Sequence, residues 1–361
     1  MIRVAVVGLG KMGLSHFAMI NAHPGVRVDA VCDSMGYLLD VLGKYTGVRT
    51  FPEYQALLRD VPLDAVVIAT PSRLHADMVK AALEKGLHVF CEKPFTLDPA
   101  DGAGLARLAG EKGLVNQVGY HYRFVAAFRE VKRLLDAGAI GEVSHALAEA
   151  YGPVVLKAKG ATWRTQRQAG GGCLYDYAAH PINLVNWYFG TPRGVGGTVL
   201  KGVFSRETDD EVLSTLYFGD GRNAQLSVNW SDESCRKMST KVSIWGTGGW
   251  LYADRQECRV YLRDGATVPE GYQTGWNVRY TTELTEPVWF YLRGEEYSAQ
   301  LDHFVRCIEE KRSENVNSFA SAVATDETMA MLVADAARGP TFTAGGAPAP
   351  APKRRKRSLF G

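Results

Sequence analysis

The sequence predicts an α/β protein in which a Rossmann domain with a parallel, doubly wound sheet precedes an α+β domain with a large, mostly antiparallel open sheet. Over residues 1–121, short apolar runs alternate with amphipathic helical stretches, as in consecutive βαβ units. Beyond residue 122, stretches that alternate apolar and polar side chains follow one another between glycine-rich turns. This second pattern is typical of an antiparallel sheet.

The first domain, residues 1–121, contains five apolar runs that are predicted strands. They are residues 3–7, 26–32, 65–69, 88–91 and 115–118. Helical spacing of apolar residues predicts helices between them, as in residues 14–21 and 75–85. Strands that alternate with helices in this way indicate a parallel sheet.

The second domain covers residues 122–338. Its predicted helices are residues 128–137, 174–189, 298–311 and 321–337, and its predicted strands are 195–204, 211–218, 224–230, 241–245 and 259–262. The remaining segment, 339–361, combines an Ala-Pro repeat with a basic cluster. We expect that segment to be disordered.

The composition excludes several classes of protein. Hydrophobic residues make up 46% and charged residues 22% of the chain, as in globular proteins. No apolar run approaches the roughly 20 residues that span a bilayer, and the N-terminus lacks a secretory signal pattern, so we expect a cytoplasmic protein. The formal net charge is +2, and the basic cluster 353–357 alone contributes +5. The rest of the chain is therefore not basic and gives no indication of nucleic-acid binding. Six cysteines without a C-x-x-C pair predict free thiols and no metal site.

A glycine motif joins the first predicted strand to the helix that follows it. It reads Gly8-Leu9-Gly10-Lys11-Met12-Gly13. Gly8 permits a tight turn, Gly10 lets a pyrophosphate approach the backbone, and Gly13 lets helix and strand pack closely. The helix N-terminus then offers free N–H groups to phosphates. In this context the motif predicts a dinucleotide site rather than a plain turn.

Four further residues, at strand ends or at the start of the following helix, are candidate cofactor contacts. Asp33 ends the second predicted strand, where a carboxylate binds ribose hydroxyls and repels a 2′-phosphate, so NAD is favoured over NADP. Thr70 and Pro71 leave a later strand and are expected to line the nicotinamide side. His75, at the next helix start, is a candidate for cofactor contact or a simple helix-start residue.

Two separated motifs supply groups for acid–base chemistry. Lys93 follows the strand 88–91, so its ammonium can stabilise an alkoxide at the same sheet edge, with Glu92 orienting it; both are expected within reach of the cofactor. Asp176 and His180 are four residues apart and are expected to share a helix face. We interpret His180 as the general base, with Asp176 holding the imidazole or binding a substrate hydroxyl. Taken singly, these residues also fit a solvated lysine and a surface ion pair.

Together these residues resemble the glucose–fructose oxidoreductase and inositol dehydrogenase family, the Gfo/Idh/MocA group. The resemblance extends to about residue 338 and rests on residues 8–13, Thr70-Pro71 with His75, Glu92-Lys93-Pro94, residues 119–124, Trp163-Arg164, and Gly171-Gly172-x-x-x-Asp176-x-x-x-His180. It implies NAD(P) cofactors, hydroxyl-bearing sugar or cyclitol substrates, and an open sheet that commonly carries oligomer contacts. It also implies that Lys93 is catalytic and that the bond to Pro94 is often cis.

The chain departs from that family pattern at two positions. Pro181 follows His180 within a predicted helix, so we expect a kink or a helix restart there. His121 stands where relatives more often carry Asn or another polar residue, and it is expected to touch nicotinamide or substrate.

Substrate contacts are predicted from aromatic and basic residues before the glycine run. Tyr151, Trp163 and Arg164 are the candidates, together with Lys93, Asp176 and His180. Lys157, Lys159 and Arg167 fit either a solvated loop or, facing the cleft, recognition of an anionic substrate such as a sugar nucleotide.

These observations predict an NAD-dependent dehydrogenase that oxidises or reduces a ring hydroxyl or ketone of a sugar, sugar nucleotide or cyclitol. A homodimer or homotetramer is expected, with no metal and with no nucleic-acid or membrane partner. One alternative is an NAD-dependent glycosidase that oxidises, eliminates and re-reduces. The other is a non-enzymatic regulator that binds NAD and sugar. In that case the basic tail would be a targeting signal or a DNA-contacting arm rather than a solvated run of charges.

Overall fold

The structure, a computed structural model, describes residues 1–156, 163–313 and 315–339. Residues 340–361 of the predicted disordered tail, and Lys157 and Lys159, lie outside the described residues. The strands are β1 (Ile2–Val7), β2 (Val26–Cys32), β3 (Arg49–Phe51), β4 (Ala65–Ile68), β5 (His88–Cys91), β6 (Asn116–Val118), β7 (Val143–Tyr151), β8 (Gly194–Lys201), β9 (Glu211–Tyr217), β10 (Asn223–Asn229), β11 (Ser239–Gly246), β12 (Gly249–Ala253), β13 (Glu257–Leu262) and β14 (Gly275–Tyr280). The helices are α1 (Lys11–Asn21), α2 (Gly36–Thr46), α3 (Tyr54–Asp60), α4 (His75–Glu84), α5 (Pro99–Glu111), α6 (Ala126–Asp136), α7 (Ala179–Phe189), α8 (Thr281–Leu284), α9 (Glu295–Glu309) and α10 (Phe319–Arg338).

The first sheet is parallel, with the strand order β3-β2-β1-β4-β5-β6. The last residues of its central strands are in register: Val7 pairs with Cys32 and Ile68, Ile68 pairs with Cys91, and Cys91 pairs with Val118. The loops that leave these strands therefore start side by side at one edge of the sheet. That edge is where ligands bind in open α/β sheets.

The second sheet has the order β14-β13-β12-β11-β7-β10-β9-β8 and is antiparallel except for the pair of β7 and β10. Both sheet types confirm the predicted fold class. On one face of β7 the side chains of Ala146, Ala148 and Ala150 are buried against α7. Their small size lets the helix approach the sheet closely. Within the described residues, the opposite face of the sheet is open, with mostly half-buried or exposed side chains.

The end of the chain returns to the first sheet. Helix α9 packs against α1, and its residues Leu301 and Phe304 share a core with Val4 and Phe90. Helix α10 packs against α5, α7 and β8 and so joins both halves of the molecule. No described helix is long and apolar enough to cross a membrane.

Candidate active site

The glycine motif turns the chain from β1 into α1 and leaves room at the helix N-terminus. Gly8 has φ +85°, and a Cβ there would meet the backbone of Ala69 and Thr70 at 2.8 Å. A Cβ on Gly13 would overlap the carbonyl oxygen of Gly8, whereas a Cβ on Gly10 would point into open space. The first N–H groups of α1 have no partner within the helix. This geometry fits the pyrophosphate of a dinucleotide.

Asp33 is fixed beside that turn. Its Oδ2 accepts the N–H of Leu9 at 2.5 Å, and its Oδ1 accepts the N–H of Met35 at 2.9 Å. The Leu9 side chain itself is buried, so the motif offers backbone rather than side chain at that position. Each carboxylate oxygen has a second lone pair. Asp33 can therefore still accept ribose hydroxyls, as the sequence predicts.

His75 does not have the surface that a cofactor contact needs. Its side chain is fully buried, with Nε2 at 2.9 Å from the carbonyl oxygen of Thr70 and Nδ1 at 2.9 Å from that of Pro94. His75 thus ties the loop after β4 to the loop after β5, and its ring has no exposed surface for the expected cofactor contact. Thr70 and Pro71 remain accessible at the sheet edge.

The loop that carries Lys93 is held at both ends by buried side chains. The Lys93–Pro94 bond is cis, as the resemblance implies. Before it, Glu92 Oε1 lies 2.7 Å from Nε2 of His16 on α1. Burial raises the pKa of Glu92, but the hydrogen bond and charge of His16 and the charge of Lys93 outweigh it and bring the pKa below the usual value. Glu92 is therefore a buried anion beneath Lys93.

Beyond the proline, the loop is bound by Asp326 of α10. Oδ2 of Asp326 accepts the N–H of Thr96 at 3.0 Å and its hydroxyl at 3.2 Å, while Oδ1 is buried without a partner. Burial raises the pKa of Asp326 to about 8, against the opposing effect of these hydrogen bonds. Three helices, α1, α4 and α10, thus each contribute one ionisable side chain that fixes the Lys93 loop.

Lys93 and Asp176 form a buried ion pair. Nζ of Lys93 lies 2.8 Å from Oδ1 and 2.9 Å from the backbone oxygen of Asp176. Oδ2 of Asp176 accepts Nε of Arg164 at 2.8 Å. Burial favours the neutral acid, but Lys93 and Arg164 outweigh it and lower the pKa of Asp176 to about 2. Since an ammonium has three N–H donors, the two bonds to Asp176 leave Lys93 one for an incoming oxygen.

The glycine run brings Arg164 to this pair. A Cβ on Gly171 would overlap the carbonyl oxygens of Trp163 and Arg164, so the two backbones approach as closely as they do only because the residue is glycine. The Arg164 guanidinium lies 4.6 Å from the centroid of the Trp163 ring. Arg167 in the same segment is exposed.

Asp176 and His180 lie on either side of a helical irregularity. Leu174–Ala178 form a π-helical turn, and α7 begins at Ala179. The N–H of Leu174 is capped by Oδ2 of Asp209 at 2.7 Å. The irregularity expected at Pro181 thus falls just before His180, in a wider turn that is common at functional sites. The two side chains consequently do not share one regular α-helical face.

His180 is enclosed by aromatic rings. The centroids of the His121 and Tyr122 rings each lie 5.0 Å from that of His180, and both rings are edge-on to it. Nδ1 of His180 is buried without a partner, and no hydrogen bond joins the imidazole to Asp176 in the described structure. Burial, followed by the charges of Lys93 and Arg255, lowers the pKa of His180 well below 6.5. The imidazole is therefore neutral at pH 7, and Asp176 holds Lys93 rather than His180.

Tyr151 lies on the wrong face of the second sheet for the predicted substrate contact. Alternate residues of β7 point to opposite faces, and Ala150 faces α7. The Tyr151 hydroxyl instead lies 2.6 Å from the hydroxyl of Ser227 on the open face. Tyr151 is thus separated by the sheet from Asp176 and His180, which lie on the helix-covered side.

His16, Asp326 and Arg255 are functional candidates that the sequence reasoning missed. His16 has a local signal, since it lies three residues after the last glycine of the motif and therefore on the same face of α1. Asp326 and Arg255 have none, because their partners are more than 40 residues away along the chain. Arg255 pairs with the buried Glu296.

Comparison with known proteins places this geometry among oxidoreductases. A family model described as an oxidoreductase family with an NAD-binding Rossmann fold matches residues 2–120, and one for the GFO/IDH/MocA C-terminal domain matches residues 128–252. The chain is 26% identical over 319 residues to scyllo-inositol 2-dehydrogenase (NAD(+)) of Bacillus subtilis, covering 85% of this chain and 86% of that protein. It is 27% identical over 274 residues to 2,7-anhydro-N-acetylneuraminate hydratase of Escherichia coli, covering 73% and 71%. A solved structure of levoglucosan dehydrogenase with NADH has the same fold, with TM-score 0.83 at 22% identity over 93% of this chain and 97% of that one.

Proposed function

The chain belongs to the GFO/IDH/MocA oxidoreductase family and carries its NAD-binding Rossmann domain, and from this premise we propose that it is a dehydrogenase of a ring hydroxyl in a sugar, sugar nucleotide or cyclitol. The observation that carries the proposal is the Lys93–Asp176 pair with the neutral His180 imidazole beside it. Lys93 can bind the oxygen of an alcohol, and His180 can take up its proton.

In the proposed mechanism each residue has one task. NAD, when bound, takes up or returns the hydride. Lys93 donates its remaining N–H to the reacting oxygen and stabilises the negative charge that develops there. Because Nδ1 of His180 is enclosed, Nε2 takes the hydroxyl proton during oxidation and returns it during reduction. Asp176 keeps Lys93 and Arg164 in place as a permanent anion.

The substrate class is proposed from the relatives. One relative is named for scyllo-inositol and another for an anhydro sugar acid. Trp163, with Arg164 over its ring, offers an aromatic face of the kind that binds sugar rings. We therefore place cyclitols and hexoses first, followed by nucleotide sugars.

The test is formation of NADH by purified protein with NAD and a panel of inositols, hexoses and nucleotide sugars. The variant Lys93→Met should lower kcat by about a hundredfold or more, because it removes a charged donor to the reacting oxygen. It should leave NADH affinity nearly unchanged. Lys85→Met, at an exposed lysine after α4, is the matched control. Full activity in Lys93→Met would contradict the assignment.

A second candidate is a reaction without net oxidation, in which the substrate is oxidised, loses a group by elimination and is reduced again. The relative named as a hydratase favours it, since hydration changes no overall redox state. The same residues serve both reactions. Consumption of substrate without accumulation of NADH, together with uptake of solvent deuterium into the product, would support this candidate over net dehydrogenation.

We also propose that the open face of the second sheet joins two copies of the chain. It carries large exposed side chains, with Trp276 62%, Tyr280 53% and Tyr217 51% exposed. Large exposed apolar side chains gathered on one face of a sheet are a common mark of a protein–protein contact. A homodimer, or a tetramer built from it, would cover this face.

A further inference from the structure

Arg293 is the exception among the arginines near the two candidate-site imidazoles. Arg164 pairs with Asp176, and Arg255 pairs with Glu296. Arg293 lies just before α9, is half-buried, and makes neither an ion pair nor a hydrogen bond with any described residue. Its Nε is buried without a partner. Among the described residues, Arg293 is thus a guanidinium near the site that no carboxylate contacts directly.

The position of Arg293 is set by a series of stacked rings. Its guanidinium carbon lies 5.2 Å from the centroid of the Tyr297 ring. Tyr297 stacks on His121 with a centroid distance of 4.4 Å, and its hydroxyl lies 3.3 Å from Nε2 of His121. His121 in turn lies beside His180. Arg293 is therefore attached through rigid aromatic contacts to the site where chemistry is proposed.

Half-burying a cation that has no ion-pair partner costs free energy. Removing a guanidinium from water is unfavourable unless an anion or several acceptors replace the lost hydration. Burial, followed by nearby positive charges that include Arg255, Lys93 and Arg293, lowers the pKa of His121 well below 6.5.

The segment that carries Arg293 also reaches the dinucleotide side of the molecule. The indole N–H of Trp289 donates to the carbonyl oxygen of Met19 in α1 at 3.3 Å. Phe290 packs in the same core cluster as Met12 of the glycine motif. An anion bound by Arg293 thus comes either from the cofactor phosphates or from the substrate.

We propose that Arg293, backed by Tyr297, is an oxyanion-binding residue that receives a phosphate or carboxylate group when the site is loaded. The inference deepens the proposed function and rests on it for the position of the site. A planar guanidinium matches two oxygens of one such group, which makes a bidentate contact the expected mode. If the cofactor supplies this group, it is the pyrophosphate of the dinucleotide. If the substrate supplies it, the substrate carries a carboxylate or phosphate.

The first measurement is NADH affinity, by fluorescence titration, of the unaltered protein, Arg293→Gln, Arg293→Lys and the control Arg107→Gln. Arg107 lies on α5 with its side chain 74% exposed. If the cofactor supplies the anion, Arg293→Gln should weaken NADH binding by about 10- to 100-fold, as for loss of a charged hydrogen bond. Arg293→Lys should weaken NADH binding less, because lysine keeps the positive charge but lacks the paired N–H donors of the guanidinium.

The second measurement uses inorganic phosphate as the probe. On NADH-saturated protein, phosphate should raise the melting temperature of the unaltered protein relative to chloride at equal ionic strength if the subsite awaits a substrate anion. That rise should vanish in Arg293→Gln and persist in Arg107→Gln. The proposal is overturned if Arg293→Gln keeps both the NADH affinity and the phosphate response of the unaltered protein. Failure of the unaltered protein to bind NADH would instead contradict the proposed function.

Discussion

Asp176 binds Lys93 twice, through its carboxylate at 2.8 Å and through its own backbone oxygen at 2.9 Å. The double contact fixes the ammonium in direction as well as in position. It also explains why a carboxylate so deeply buried stays charged, since a second cation, Arg164, binds its other oxygen. The ion pair therefore fixes the direction of the remaining N–H bond of Lys93. A solvated lysine would have no such fixed orientation.

Replacing Asp176 by Asn should leave the shape of the site and remove its charge. Breaking a buried ion pair from one side costs about 3 kcal/mol, because the remaining cation is left uncompensated. We expect that loss in urea unfolding of Asp176→Asn at neutral pH, together with loss of most turnover. The folded pKa of about 2 lies below the unfolded value of 3.8, so the stabilisation is present above the unfolded pKa and is lost as the pH falls through about 2. A stability difference that did not shrink in acid would contradict this account.

The proposed role of His180 predicts an unusual pH profile. Its pKa is lowered well below 6.5, so the base is already neutral throughout the range in which an ordinary histidine titrates. Once a substrate is known, kcat/KM should show no limb near pH 6.5. The variant His180→Gln should lower kcat by about 100- to 10,000-fold, the usual contribution of a general base. A limb near pH 6.5 that disappears in His180→Gln would show instead that the imidazole titrates normally.

The part of the fold that the sequence predicts is the part with strong local periodicity. Strands β2 and β5 were predicted with the bounds that the structure has. Strand β3 is only three residues long, too short to show an alternation. Strand β7 was not predicted from its pattern because its buried positions are alanines, which give a weak apolar signal.

The placement of a candidate side chain follows from the sequence where a motif and a strand end coincide, as at Lys93, which directly follows the loop residue after β5. The sequence does not indicate the placement of a side chain where that placement depends on strand alternation or on a partner elsewhere in the chain. Tyr151 falls on the open face because it is an odd number of residues from Ala150. His75 is buried because the loop just before it and the loop after β5 both place a carbonyl oxygen against its ring. No local sequence pattern predicts the π-helical turn before His180.

Asp326 should make stability depend on pH in the opposite direction from Asp176. Its folded pKa, about 8, lies above the unfolded value of 3.8, so the carboxyl group is neutral in the folded state at pH 7. Its contribution to stability is fully present below the unfolded pKa and is lost as the pH rises through about 8. Asp326→Asn mimics the neutral acid and keeps an oxygen for the N–H of Thr96, so its stability relative to the unaltered protein should improve from pH 5 to pH 9. Asp326→Ala, which leaves that N–H unpaired, should be less stable at every pH. Parallel curves for the unaltered protein and Asp326→Asn would rule out the raised pKa.

The open face of the second sheet gives the last prediction. Trp276 and Tyr280 of β14 point outward on the same face, since they are four residues apart along one strand. If this face joins two copies, the double variant Trp276→Ser with Tyr280→Ser should move the protein toward the monomer in light scattering coupled to size exclusion. Tyr37→Ser, at an 80% exposed tyrosine of α2, is the matched control and should leave the assembly unchanged. Since neither residue of β14 belongs to the buried core, each monomer should remain folded by circular dichroism. An unchanged mass for the double variant would mean that the apolar face is not the contact between subunits.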